Sequence, residues 1–315
     1  MSEATAGHTS VLRDEIVGFL ELFNDSVAID ATLGLGGHSE AILQRFESTR
    51  VIGIDQDLQA LVFATERLRR FGDRFQSVHS NFSAIAEVAA SKRLLSVDAI
   101  IADLGVSSMQ LDAPERGFSF RFDAPLDMRM DPSTGETAAA MLARLDETEI
   151  ADLIYSYGEE RKSRRIARLI TERRAAGQPV QTTAELARLV ERAVGRSPKD
   201  KIHPATRTFQ ALRIAVNDEL GILANFINDS VDLLKPNGTL CVITFHSLED
   251  RIVKQTFQKL SGKCFCPPRI PRCVCGAVKR VEILTRKPVV PTEAEMNANP
   301  RSRSAKLRVC RKLTN

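Results

Sequence analysis

At 315 residues, with 43% hydrophobic and 27% charged side chains, the chain has the composition of a globular protein large enough for one big domain or two modest ones. No apolar run approaches the ~20 residues that span a bilayer, and the amino-terminal MSEATAGHTS lacks the basic and apolar regions of a signal peptide. A membrane or exported protein is therefore not expected, and the cytoplasm is the default address. The net charge of +4 permits a polyanionic partner without requiring one, and with no Trp and two Tyr any base stacking falls to Phe, His or Arg.

In chain order, Val11, Leu12, Ile16, Phe19 and Leu20 mark an amphipathic helix leading into a buried strand, Val27 to Asp30. A turn carrying Gly34, Gly36 and Gly37 follows, then a helix, then a second buried strand ending in Asp55. Such a unit brings backbone N–H groups and a helix N-terminus to a ligand, and a carboxylate some 20 positions after the glycines can hold ribose hydroxyls. An adenosine-containing cofactor is the expectation. The dinucleotide fingerprint G-x-G-x-x-G is not met, because its third glycine position holds Ser39. Acidic residues closing both strands, Asp30 and Asp55, with a short glycine loop between, look instead like the S-adenosylmethionine (SAM) site of Rossmann-type methyltransferases.

Leu58 to Phe71 reads as a helix, Phe75 to Ser80 as the third strand, Ala84 to Arg93 as a helix, and Val97 to Asp103 as a fully buried fourth strand ending in a carboxylate. Strands alternating with helices predict an α/β fold with a parallel, doubly wound sheet. The next comparable strand is Gly238 to Phe245, 135 residues from Leu104 through Gly238, whereas a βαβ unit needs only ~30 or more. One crossover helix, from Phe209 through Val216, Leu223 and Val231 to Leu234 and ending at Pro236-Asn-Gly238, accounts for part of the gap. The remainder predicts a helical insertion, residues 112–205, for substrate recognition, within a SAM-binding methyltransferase domain of residues 1–111 and 206–315. Its helices are Ala138 to Leu145, Glu147 to Tyr157, Glu160 to Ala175 and Thr183 to Val194.

Two closing strands, one antiparallel, are expected at Arg280 to Thr285 and Ser304 to Leu313. The basic residues there (Arg301, Arg303, Lys306, Arg308, Arg311 and Lys312) suit an edge strand blunted by charge as well as contact with RNA. The basic run Arg161 to Arg174 reads as the solvated face of a helix. Cys264, Cys266, Cys273 and Cys275 place four thiols within twelve positions, which suggests zinc before disulfides in a reducing compartment. C-x-C is a less common ligand pair than C-x-x-C and no His lies nearby, so reduced thiols in a proline-rich loop stay open and no metal ligand is assigned.

Several segments carry a resemblance: DATLGLGGHS from Asp30, DLGVSSMQLDAPERGFSF from Asp103, PLDMRMD from Pro125, HPATRTFQALRIAVNDEL from His203, FHSLEDRIVK from Phe245 and NPRSRSAKLR from Asn299. Together, over nearly the whole chain, they resemble the 16S ribosomal RNA (cytosine-N4)-methyltransferase family known as MraW or RsmH. The resemblance implies SAM as donor, the N4 amine of a cytosine in the decoding region of 16S rRNA as acceptor, the small ribosomal subunit as partner, a cytoplasmic location, and a helical insertion in the Rossmann-type sheet. A methyltransferase of another nucleic acid, or a SAM-binding ribosome assembly factor, is the alternative, and a homodimer is left open. The cysteine cluster departs from the family pattern, which weakens the zinc reading. By the resemblance Gly36, Gly37, His38, Asp55, Phe82, Asp103 and Gln110 bind the cofactor; strand-end position supports the loop, Asp55 and Asp103 independently.

Cytosine N4 is a poor nucleophile because its lone pair is delocalised into the ring. A carboxylate at the end of the fourth strand can accept a hydrogen bond from N4 and favour the charge developing there, which makes Asp103 the expected catalytic group. His246, Glu249 and Asp250 lie after the fifth strand and could meet the base or the departing proton. The alternative there is a helix start capped by Ser247 with Asp250 three residues on. Arg116, Phe118, Phe120, Arg121 and Phe122 interleave basic and aromatic side chains, as contacts to a flipped base and its phosphates or as a hydrophobic seam.

Overall fold

A computed structural model describes residues 10–195, 202–266 and 274–314. The chain divides into two units, residues 1–105 with 220–315 and residues 106–219.

The first unit opens with α1 (Arg13–Phe19), which buries Ile16. β1 (Val27–Asp30) is buried at all four positions, as expected of a central parallel strand covered on both faces. α2 (Gly37–Arg45), β2 (Arg50–Asp55), α3 (Leu58–Leu68), β3 (Phe75–His79), α4 (Ile85–Ser91) and β4 (Val97–Asp103) follow in strict alternation. Asp57 caps α3, its carboxylate accepting from the Gln59 N–H at 3.0 Å.

After β4 the chain enters the second unit: α5 (Ser108–Asp112), α6 (Ala138–Arg144), α7 (Glu147–Gly158), α8 (Ser163–Ala175), α9 (Thr183–Val194) and α10 (Thr206–Asn217). Capping boxes start α7 (Asp146 with Glu149) and α9 (Thr182 with Glu185), two orphan donors answered at each end. The unit has its own core, in which Ile150, Ile154, Ile166, Ile170, Leu186 and Val190 interlock.

The chain returns to the first unit through α11 (Leu223–Leu233), β5 (Leu234–Thr244), α12 (Ser247–Leu260), the short β6 (Val281–Ile283), α13 (Glu293–Ala298) and β7 (Lys306–Lys312). The seven strands run in the order β3-β2-β1-β4-β5-β7-β6. β1 to β5 are parallel, and β7 is antiparallel to both its neighbours. Because the chain steps outward from β1 through β2 to β3 and then resumes on the other side of β1 with β4, the sheet has its switch point between β1 and β4. Ligands of doubly wound sheets bind outside the carboxyl ends of the strands at that point. Among the described residues no helix is long and apolar enough to cross a membrane.

Three sequence expectations are corrected. The single crossover helix is two helices, broken at Asp218 with φ 48°; Phe209 and Leu212 on α10 pack in the second core, Leu223, Phe226 and Ile227 on α11 in the first. The second compact unit, residues 106–219, encloses the insertion expected at 112–205. Pro236-Asn-Gly238 does not terminate a helix but lies inside β5, where the pairing with β4 skips between Val97 and Ala99; a Cβ at Gly238 would meet backbone oxygens at 2.9 and 3.0 Å. Finally, β7 is not an edge strand. It is enclosed by β5 and β6, and its basic side chains find partners: Arg308 pairs with Asp250, Arg311 with Glu21, and the Lys312 ammonium donates to the Asp232 and Leu234 carbonyls.

Candidate active site

Three carboxylates end adjacent strands at the switch point. Asp30 closes β1, Asp55 closes β2 and Asp103 closes β4, with register pairs Asp30↔Gly53 and Asp30↔Ile101 setting them along one edge.

Asp55 faces the loop after β1. Its Oδ2 accepts from the Gly34 N–H at 2.7 Å and its Oδ1 from the Asp57 N–H at 2.8 Å. Burial pushes its carboxyl up to about 6, the two backbone donors only partly offsetting it. A carboxylate oxygen can accept more than one hydrogen bond, so Asp55 retains capacity for a pair of sugar hydroxyls. In the loop itself Gly36 sits at φ 77° as the residue before α2, a left-handed position that favours glycine. Gly37 is required by close packing, since a Cβ there would fall 2.0 Å from the Ser10 hydroxyl. The first-turn N–H groups of α2 have no helical carbonyl to bond and present partial positive charge.

His38, in that first turn, is buried. Its Nε2 lies 3.4 Å from Asp103 Oδ2, close enough for attraction but not aligned for a hydrogen bond. Both ring nitrogens of His38 and Oδ1 of Asp103 are buried without a hydrogen-bond partner among the described residues. Burial by itself lowers the imidazole pKa, but the Asp103 and Asp30 carboxylates outweigh it and hold the ring above its ordinary value. Asp30 is fully buried and raised, burial outweighing His38 and the Ser39 hydroxyl that donates to its Oδ2 at 2.7 Å. The Asp103 N–H is fixed by the Thr32 hydroxyl at 2.6 Å. Thr32 and Ser39 were not among the expected site residues, whereas Asp30 was singled out only as the acidic end of β1.

Phe82 begins a short 3₁₀ turn just past β3, half-buried, with its ring edge-on to Phe226 at 5.0 Å. Gln110 belongs to the second unit, where it is buried and completes the capping box of α5, its Oε1 accepting from the Ser107 N–H at 3.0 Å. These features are compatible with an adenosine sulfonium: spare acceptor capacity on Asp55, an aromatic ring just past β3, and buried polar atoms left unanswered at the switch point.

The model of the MraW methylase family matches residues 5–313. The chain belongs to that family. This MraW-family methylase is 49% identical over 307 residues to the ribosomal RNA small subunit methyltransferase H of Carboxydothermus hydrogenoformans, which covers 98% of each chain. It is 48% identical over 315 residues to the protein of the same name from Brevibacillus brevis, covering 99% of this chain and 100% of that one. The Heliobacterium modesticaldum protein of that name is 48% identical over 309 residues, covering 97% and 98%. The methylase uses SAM as its methyl donor.

Other expected contacts of the methylase fall elsewhere. The cap of α12 is His246 with Glu249, not Ser247 with Asp250. His246 Nε2 lies 3.1 Å from Glu249 Oε1, while Glu249 Oε2 accepts from the Phe245 N–H at 2.8 Å. Asp250 is held by Arg308 at 2.6 Å, and that guanidinium more than offsets burial to keep its carboxyl below the usual range. Arg116 is buried, donating to the carbonyls of Met130 at 2.9 Å and Arg129 at 3.1 Å. Phe118 lies in the second core and Phe120 packs on Phe209 and His203, whereas Arg121 and Phe122 are exposed.

Proposed function

We propose that this methylase transfers the methyl group of SAM to the exocyclic N4 amine of a cytosine in the decoding region of 16S rRNA. The observation that carries the reading is near-full-length identity of 49% to an enzyme named for methylating small-subunit ribosomal RNA; the N4 position and the decoding region follow from the motif resemblance. When bound, SAM supplies a methyl group already activated by its sulfonium.

The chain's own residues then have these tasks. Asp55 accepts the ribose hydroxyls, Gly36, Gly37 and His38 present the loop and first helical turn, and Phe82 packs on the adenine. Asp103 accepts a hydrogen bond from the target amine, orients its lone pair toward the methyl group and favours the positive charge that develops there. His38, 3.4 Å away, positions that carboxylate. Gln110 enters through the resemblance alone, its Oε1 already engaged at the start of α5.

The second unit, residues 106–219, is the module for RNA. Its α8 buries Ile166, Ala167 and Ile170 and turns Arg164, Arg165 and Arg168 to the surface, a basic face able to follow phosphates. The target base must leave its stack to be methylated. Such a substrate puts the work of the enzyme in the cytoplasm, and nothing in the reading requires a second copy of the chain.

The test is direct. Purified protein with labelled SAM should modify 30S subunits, and nucleotide mapping should find N4-methylcytosine at one site that is missing from rRNA of a strain lacking the gene. Label on another base, or on DNA in preference to subunits, would overturn the assignment.

A further inference from the structure

α12 ends at Leu260, and the chain re-pairs with itself through an antiparallel bridge between Ser261 and Lys279. The Arg280 N–H donates to the Leu260 carbonyl at 2.7 Å, closing the base of the excursion. The bridge and this bond bring the chain on either side of residues 262–278 together ahead of β6.

The described part of this segment concentrates thiols. The Sγ atoms of Cys264, Cys266 and Cys275 all lie within 4.8 Å of one another. Cys264 and Cys275 have their sulfurs 3.7 Å apart, far beyond the ~2.03–2.05 Å of a disulfide. Four sulfurs at ~2.3 Å around a tetrahedral zinc ion are spaced about 3.8 Å from each other, so the observed separation is that of a metal tetrahedron's edge. The Val274 N–H points at Cys266 Sγ at 3.4 Å, the backbone donation that steadies a metal-bound thiolate.

Packing does not explain these side chains. Cysteine in a core acts as a small hydrophobe, and Cys241 and Cys310 do so inside the sheet, where burial pushes both thiols up. Cys264 is exposed and Cys266 and Cys275 half-exposed, with no core to fill. Three thiols converging at the surface, flanked by basic Lys263 and Lys279 in sequence, suit a soft divalent cation that would neutralise them.

We propose that Cys264, Cys266 and Cys275 bind a zinc ion as thiolates, a structural knuckle that ties Cys264 and Cys266 to Cys275 ahead of β6. Structural zinc takes four ligands, so a fourth donor completes the set. Cys273, the remaining cysteine of the segment, lies outside the described residues, and the proposal does not rest on it. β6 is the sheet edge farthest from β1 and β4 on that side, so the ion holds chain and takes no part in methyl transfer. Binding releases the thiol protons to solvent without change of oxidation state.

The full chain, purified without a metal-binding tag under reducing conditions and dialysed against zinc then buffer, should carry roughly one zinc per chain by mass spectrometry of metals. Cobalt in its place should show thiolate-to-metal charge transfer. The double variant C264S/C275S should lose the ion while keeping its affinity for S-adenosylhomocysteine, which reports an intact first unit. Trypsin should cut this segment readily in the variant and slowly in the zinc-loaded protein. Negligible zinc in the native chain, zinc retained by the double variant, or a Cys264–Cys275 disulfide in protein handled without oxygen would each overturn the proposal.

Discussion

The carboxyl edge of β1 and β4 and the segment around Arg116 both bury charge, and they treat it in opposite ways. Around Arg116 the buried charges are answered. The Arg116 guanidinium donates to two carbonyls, and Asp127 grips Arg129 through both carboxylate oxygens at 2.8 Å, the guanidinium more than offsetting burial to keep Asp127 below its ordinary range. At the edge of the sheet, two imidazole nitrogens and a carboxylate oxygen are buried without a hydrogen-bond partner among the described residues. Leaving a buried polar group unanswered costs about 1–3 kcal/mol. A fold bears that cost where a ligand is to supply the missing partner, and satisfied charge marks architecture instead.

The strongest way to break this comparison is at Asp103. Asp103→Asn should lower kcat by about 10²–10³-fold, the scale of removing one group aimed at transition-state charge. Its melting temperature should barely move, because Thr32 holds the backbone N–H and not the carboxylate. Near-normal turnover would remove the orienting role, and calorimetry with S-adenosylhomocysteine separates lost chemistry from lost cofactor.

Arg116→Met should do the reverse. Two buried carbonyls lose their donor, which should cost about 2–4 kcal/mol in denaturant unfolding, while the remaining folded protein binds S-adenosylhomocysteine as before. A variant that kept its stability but lost RNA binding would make Arg116 a phosphate contact after all.

Asp55 sharpens the comparison through pH. Its folded-state carboxyl, raised to about 6, is ionised at neutral pH against the pull of burial. That ionisation costs the ligand-free fold about 3 kcal/mol at pH 7, and the cost fades as pH falls from about 6 toward 4. Sugar hydroxyls prefer the ionised acceptor, so affinity for S-adenosylhomocysteine should fall by up to about tenfold per unit over the same window. Stability and affinity thus change in opposite directions, and Asp55→Asn should flatten both slopes. An affinity that is level between pH 7 and 5 would take Asp55 out of ribose binding.

Much of the sheet was legible because its signals are local. The buried runs Val27 to Asp30 and Val97 to Asp103, the glycine loop, and Asp55 at the end of its strand follow from periodicity and turn chemistry within a few residues. The helices of the second unit were legible for the same reason, and the structure finds capping boxes at two of their starts, Asp146 with Glu149 and Thr182 with Glu185. Less was legible where a stripe could belong to either core: apolar spacing from Phe209 to Leu234 runs through a helix break, since Asp218 in a left-handed conformation leaves the stripe intact in sequence. His38 was legible only through the resemblance, as a cofactor-loop residue; its burial beside Asp103 appears only once β4 brings Asp103 to it. Arg116 beside Phe118 and Arg121 could be read as RNA contacts or as a hydrophobic seam, because composition cannot say whether a guanidinium meets phosphate or its own chain's carbonyls.

By itself the amino-acid sequence determined the alternating units, the family and three carboxylates at strand ends, since backbone preferences and motif order are short-range properties of the chain. Only the tertiary structure decided which charges are spent on the fold and which are held in reserve. It placed β7 inside the sheet, bound Asp250 to Arg308, and gathered three thiols ahead of β6. The worth of a charge or thiol depends on burial and on partners as far as 290 positions away, as with Arg311 and Glu21, and that is a property of packing.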